Sequence, residues 1–275
     1  LEDLAGGGED PERTRPAAAS RAPQAFDAER AFDTLRMQVR LGPRPAGSAA
    51  SRRLAERIRA VLPDGRIQQV PGGLRNVIGE VPGRDPSRKV VVGAHYDTKD
   101  EPGFVGANDA ASGTAVALEL ARSLKPRTVG PTVVFAFFDG EESPRGTPDA
   151  QFKQAGLRGS RVAAPTLRGA EAMVLLDFVG DEDLVIPREQ GSDPALWAKL
   201  RAAAQRAGKQ RHFPDAVGGG IVDDHVPFQE QGIPSIDLID FQFACFHKRC
   251  DRISAVSEAS LDATGETVRE LLRRL

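Results

Sequence analysis

Two apolar runs, Val90-Val91-Val92-Gly93-Ala94 and Val133-Val134-Phe135-Ala136-Phe137-Phe138, decide how this chain folds. Neither alternates apolar with polar residues. A strand with one face in water shows that alternation, so unbroken runs mark strands buried on both faces, as in a sheet covered by helices on each side. Four more short apolar runs read as strands: Ile67–Val70, Asn76–Val81, Ala172–Phe178 and Ser235–Ile239. Helical patterning fills the spaces around them. It begins at Phe26 and breaks at Leu41-Gly42-Pro43, then returns over Ser48–Leu62, Ala110–Leu124, Pro194–Ala207 and Leu261–Leu275. The expected fold is therefore α/β, a three-layer α/β/α sandwich around a central mixed, mostly parallel twisted sheet. No internal repeat or second boundary shows, so residues 25–275 are expected to form a single domain. Residues 1–24, rich in Gly, Pro, Ala and charge, are expected to be a disordered leader. Ser143–Ala164, polar and weakly patterned, reads as an ordered functional loop.

Composition narrows the function. The chain has 275 residues, 40% apolar and 28% charged, enough for one domain with a sizeable core. Its 37 basic and 39 acidic residues leave a net charge of −2, which offers no field for nucleic acid or anionic lipid. No apolar run approaches the roughly 18–20 residues of a membrane span. Two cysteines make neither a disulfide framework nor a four-cysteine zinc site. Aromatic residues, at 5%, are too few for a base-stacking protein or an aromatic cage. The four histidines are His95, His212, His225 and His247, and metal or acid–base chemistry must draw on them.

The buried strands lead into chemically loaded residues. VVVGA runs into His95-Tyr96-Asp97-Thr98, VVFAFF into Asp139-Gly140-Glu141-Glu142, and Asp177 interrupts Ala172–Phe178. His247 comes after the last strand and a short connector, and Asp109 stands just before a helix. Ligands of open α/β sheets bind beyond the carboxyl ends of strands, so these groups converge. Taken singly, Asp109 would be a helix cap, His95 a hydrogen-bonded structural residue and Glu141-Glu142 a solvated pair. Taken together, two imidazoles and several carboxylates suit zinc, and that many anions repel one another without a cation.

Five ordered blocks carry a resemblance: GAHYDTK (93–99), GANDAASG (106–113), FFDGEE (137–142), LLDFVGD (175–181) and DDHVPF (223–228), with His247 after them in FHKRCD. In that order they resemble the co-catalytic zinc exopeptidases of clan MH, which include zinc aminopeptidases and the animal-type glutaminyl-peptide cyclotransferases. The resemblance implies zinc, one ion or two. Asp109, Glu142 and His247 are the implied ligands, and Glu141 the implied general acid/base. His95 and Asp177 are implied at a second metal bridged by Asp109, with Asp97 orienting His95. Asp177 and Asp223 are also implied in catalysis, Asp177 beside the amine or leaving group and Asp223 in the hydrogen-bond network of the acids. His225 reads as a supporting residue rather than a ligand, and His212 as surface. Gly218-Gly219-Gly220 matches no phosphate loop and reads as a flexible loop beside the site.

The flanks lean toward the cyclase branch through Lys99, the FFDGEE form, Leu157–Arg161 and DDHVPF with Gly232-Ile233-Pro234. Against it, Phe246 stands where animal cyclases place Trp before the ligand His, no Trp comes after the paired Glu, and Asp237 replaces a His. The aromatic walls of a glutamine pocket are thus expected to be incomplete. The implied function is a zinc enzyme at peptide or protein N-termini, forming pyroglutamate from N-terminal Gln with release of ammonia. The alternative is an aminopeptidase, in which water attacks the first peptide bond with Glu141 as base. A third reading is a non-enzymatic binding module on the same scaffold. The resemblance also raises a bridge between Cys245 and Cys250, with two buried thiols as the other reading. A monomer is expected. So is export, to the periplasm, to the medium or to a membrane through a removed N-terminal segment, with a cytoplasmic location as the alternative.

Overall fold

The two deciding runs lie side by side in the middle of a six-stranded sheet. The computed structural model describes residues 25–275, and the leader expected over 1–24 lies outside the described residues. The strands are β1 (Arg66–Val70), β2 (Leu74–Val81), β3 (Asp85–His95), β4 (Pro131–Phe138), β5 (Ala172–Asp177) and β6 (Ser235–Ile239), in the order β1-β2-β4-β3-β5-β6. β3 pairs in parallel with both neighbours, placing Val92 opposite Phe135 on one side and Val174 on the other. β6 continues the parallel series beside β5, whereas β1 and β2 are antiparallel. The sheet is mixed and mostly parallel, as the unalternating runs require.

Helices α1 (Ala28–Arg40), α2 (Ala49–Val61), α3 (Ala111–Ser123), α4 (Phe152–Ala155), α5 (Arg158–Thr166), α6 (Pro194–Arg206), α7 (His225–Gln229) and α8 (Glu258–Leu272) complete the order. Period-two alternation sorts β3 between two cores. Val90, Val92 and Ala94 pack with Leu35 of α1, Val116 of α3, Leu200 of α6 and Val268 of α8. Val91 turns to the other face, with Ala163 of α5 and Phe228 of α7. Each large apolar side chain, fully buried, contributes about 1.5–3 kcal/mol, so both faces must be covered. No helix among the described residues is long and apolar enough to cross a membrane.

The stretch read as a loop over Ser143–Ala164 is half helical, since α4 and most of α5 fall within it. Its helical signal is hidden because α5 buries small residues, Gly159, Ser160, Ala163 and Ala164, and carries Pro165 inside. A Cβ on Gly159 would lie 2.4 Å from Asn76 Oδ1, so smallness here permits close packing instead of marking flexibility. The short α7 also carries no signal of its own in the sequence pattern. β5 ends at Asp177, one residue early, because Phe178 adopts a left-handed conformation (φ 45°).

Two contacts bring the strand ends and the α3 N-terminus together. A Cβ on Gly113 would lie 2.0 Å from the Leu176 carbonyl, so the first turn of α3 lies hard against β5. The second is Arg44, wholly buried, whose guanidinium donates to the carbonyls of Gln38 (3.1 Å), Gly42 (2.9 Å), Val105 (2.9 Å) and Gly106 (3.2 Å). Burial lowers its pKa to about 10, with Asp109, Asp251 and Asp97 opposing that shift, so it remains charged at neutral pH. Arg44 thereby pins the turn that delivers Asp109. Removing the guanidinium strands several buried carbonyls, at about 1–3 kcal/mol each. Arg44→Met is therefore expected to lower the melting temperature by at least about 5 °C, measured by calorimetry. An unchanged melting temperature would show that water replaces the guanidinium.

Candidate active site

The strand-end residues do converge. His95 and Asp177 are the last residues of β3 and β5. Glu141 and Glu142 come after β4 and Gly140, whose φ of 84° gives the chain its turn. Asp109 precedes α3. His247 (φ 51°) lies within a short loop closed by a disulfide between Cys245 and Cys250, the bridged alternative of the two.

Two trios share Asp109. His247 Nε2 stands 3.3 Å from Asp109 Oδ2 and 3.3 Å from Glu142 Oε1. His95 Nε2 stands 3.3 Å from Asp109 Oδ1 and 3.4 Å from Asp177 Oδ1. Each trio's donor atoms lie within 4.8 Å of one another. Ligands about 2.0–2.2 Å from a tetrahedral zinc ion stand roughly 3.3–3.6 Å apart, and each imidazole stands at that spacing from its two carboxylates. Asp109 Oδ2 and Glu142 Oε1 are buried and accept no hydrogen bond, which a cation would remedy. By donor type, spacing and unsatisfied oxygens, the residues fit zinc.

The surrounding charges show the same need. Burial, then Glu142, Asp223 and Asp224, raise Glu141 well above the usual carboxylate range, against the pull of His95. Burial, Asp177 and Asp224 do the same to Asp223. Burial opposes charge on His247, but Asp109 and Glu142 outweigh it and lift the imidazole to about 9. Crowding thus pushes Glu141 and Asp223 toward their protonated forms, whereas Asp109, facing both imidazoles, is held below the usual carboxylate range. Asp97 organises both acids by accepting from the Glu141 N–H (3.2 Å) and the Glu142 N–H (3.3 Å), and it faces His95 Nδ1 at 3.6 Å. Asp251 accepts from the Asn108 and Asp109 N–H groups at 2.7 and 3.1 Å. The sequence assigns Asp251 no role by itself. The one signal available is its position immediately after the bridged Cys250, in FHKRCD.

A cavity of about 360 Å³ opens on Asp109, Glu141, Glu142, Asp177, Asp223 and His247. Phenylalanines line this cavity, with no tryptophan in the lining. The Phe246 ring stacks on His247 at 3.8 Å between centroids, with Phe241 5.0 Å and Phe178 5.6 Å from Phe246. Two of these three phenylalanines lie within Phe241–Phe246, a local signal that a search for tryptophan alone passes over. Trp197 is buried on α6 beside Phe213, and the cavity lining does not include it. His225 stands outside both trios, between Glu189 (3.6 Å) and Asp237 (3.7 Å). His212 is half-buried at the surface, its ring nitrogen meeting the Leu184 carbonyl, and belongs to neither trio. Gly220 lines the cavity, as expected for a loop beside the site.

Comparison with known proteins places the chain in a family. The sequence profile of Peptidase family M28 matches residues 76–272, well over half of the chain. The glutaminyl-peptide cyclotransferase of Bos taurus is 26% identical over 267 residues, spanning 79% of this chain and 73% of the bovine one. The crystal structure of an Acidobacteriales bacterium glutaminyl cyclase superposes with a TM-score of 0.79 at 27% identity, covering 95% of this chain and 98% of its own. A Zn-dependent exopeptidase from Parabacteroides distasonis gives a TM-score of 0.78 at 27% identity, covering 92% of this chain and all of its own. With the fold shared and the profile matching residues 76–272, the chain belongs to peptidase family M28.

Proposed function

We propose that residues 25–275 form one zinc-dependent catalytic domain that converts N-terminal glutamine of peptides or proteins to pyroglutamate with release of ammonia. The observation that carries this reading is a single cavity with two unlike walls. One wall holds the Asp109–Glu142–His247 trio beside Glu141, and the other is the phenylalanine cluster. The likeness to glutaminyl cyclases in sequence and structure supports it.

Asp109, Glu142 and His247 would hold zinc, and His95 and Asp177, in the trio that shares Asp109, would offer donors for a second ion. Zinc bound there supplies a Lewis acid that polarises a carbonyl and steadies the oxyanion developing on it. The remaining chemistry belongs to the protein. Phe178, Phe241 and Phe246 exclude water from one side of the first residue. Glu141 takes a proton from the α-amine as that amine attacks the γ-carbonyl, then gives it to the departing ammonia. A carboxyl whose pKa burial has raised suits a group that must both accept and return a proton. Asp177 and Asp223, in the same cavity, orient the amine and the leaving group.

The second reading, aminopeptidase activity, rests on the His95–Asp109–Asp177 trio, which keeps a full second donor set, and on the likeness to an exopeptidase. There Glu141 takes the proton of an attacking water. The Cys245–Cys250 bridge supports export, since disulfides persist in oxidising compartments.

Zinc-saturated protein is expected to turn Gln-naphthylamide into pyroglutamyl product, to leave Leu-p-nitroanilide intact and to lose activity on chelation. Cleavage of Leu-p-nitroanilide would transfer the assignment to the peptidase, and no turnover of either would refute both. Glu141→Gln is expected to keep bound zinc and lower kcat by about 10²–10⁴-fold. An unchanged kcat would remove its role in proton transfer. His247→Ala is expected to weaken zinc binding by more than the roughly 10–100-fold that loss of an outer partner costs, measured by metal titration. Unchanged affinity would exclude His247 as a ligand.

A further inference from the structure

Behind the cavity lies a second buried polar group that the proposed chemistry does not use. Glu189, His225 and Asp237 are all buried, and they come from the segment before α6, the start of α7 and the middle of β6. His225 faces Glu189 with Nε2 and Asp237 with Nδ1. These contacts, at 3.6 and 3.7 Å, are longer than hydrogen bonds. Burial lowers the His225 imidazole to about 4, against the pull of Glu189, so it is neutral at physiological pH with one donor and one acceptor. It belongs to neither metal trio.

The useful contact is on the other oxygen of Glu189. Three backbone hydrogen bonds stitch residues 216–219 to residues 188–190: Arg188 N–H to Ala216 (3.0 Å), Gly218 N–H to Arg188 (2.8 Å) and Gln190 N–H to Gly219 (3.1 Å). The stitching stops at Gly219. Beyond it the chain continues as Gly220-Ile221-Val222-Asp223, which lines the cavity, and Val222 is 41% exposed. At that point Glu189 Oε1 accepts from the Ile221 N–H (3.1 Å) while also accepting from the Gly191 N–H (2.8 Å). A side chain thus takes over where the backbone pairing ends, two residues before Asp223.

We propose that Glu189 is a positioning residue. Its carboxylate clamps the 220–223 segment through Ile221 and so fixes where the Asp223 carboxyl stands in the cavity. His225, two residues beyond Asp223 at the start of α7, lies buried between Glu189 and Asp237 without a hydrogen bond to either, so the hold on the segment rests on Glu189. The clamp deepens the cyclase reading and rests on it for its catalytic consequence, while the clamping itself does not depend on the substrate.

Hydrogen exchange and a double-mutant cycle on the zinc-loaded protein test the two parts separately. Glu189→Ala is expected to speed exchange at residues 220–223 at least tenfold while zinc content stays at the wild-type level. Glu189→Gln keeps a carbonyl oxygen for the Ile221 N–H and is expected to restore protection to within about threefold, and it serves as the test if the alanine variant fails to fold. Unchanged exchange in Glu189→Ala, or a glutamine variant as fast as the alanine one, overturns the clamp. With whichever substrate the wild-type protein turns over, Glu189→Ala is expected to lower kcat at least tenfold and shift KM less than threefold. In an Asp223→Asn background the same change is expected to lower kcat less than twofold, because the group being positioned is already altered. Equal losses in the two backgrounds would show that Glu189 does not act through Asp223. Absence of all wild-type turnover would refute the functional reading, and the exchange data would still decide the clamp.

Discussion

Buried negative charge is the constraint on which the rest of this structure depends. Asp109, Glu141, Glu142, Asp177 and Asp223 all lie in one buried region at the ends of the central strands. Ionised carboxylates cannot share so dry a space without a compensating cation or a set of protons. The elevated pKa values of Glu141, Glu142, Asp177 and Asp223 express that conflict. In the proposed function zinc would resolve it, leaving Glu141 as the acid that moves protons.

The fold holds these charges in place by fixing the backbone turns that carry them. Arg44 ties the turn before Asp109 to the end of α1, donating to the Val105 and Gly106 carbonyls in the turn and to those of Gln38 and Gly42 at the helix end. Asp97 and Asp251 grip the backbone N–H groups of Glu141, Glu142, Asn108 and Asp109, so the ligand-bearing turns are held by side chains remote in sequence. Gly113 lets α3 approach β5 closely enough to bring Asp109 to His95 and Asp177. Parallel strands supply the common edge, since β3, β4, β5 and β6 all end on the same side. Preorganisation of this kind means that the site does not have to reorganise as charge moves during reaction.

The central sheet is legible in the sequence because burial on both faces leaves a direct mark on composition. VVVGA and VVFAFF have no polar alternation, and they form neighbouring strands covered on both sides. The strand-end acids and histidines are legible for a related reason, since so many charged groups gathered at the ends of neighbouring buried runs need a common counter-charge. Helix α5 is not, because its burial uses Gly159, Ser160 and alanines, and small side chains give no periodic signal. The phenylalanine wall is only partly legible, because Phe241 and Phe246 are close in sequence but Phe178 joins them only once β5 and the segment after β6 are adjacent. Glu189 has no local signal of any kind. Its role depends on a backbone N–H 32 residues away and on where a loop's own pairing ends.

The central claim is that the carboxylate crowd is organised around zinc at the Asp109–Glu142–His247 trio. Anomalous diffraction at the zinc edge from crystals of zinc-saturated protein tests it most directly. The predicted result is a strong peak within about 2.0–2.2 Å of Asp109 Oδ2, Glu142 Oε1 and His247 Nε2, and a second peak between His95 and Asp177 would count a second ion. Zinc-saturated crystals with no peak at the trio, its carboxylates bridged by protons or water, would contradict the claim.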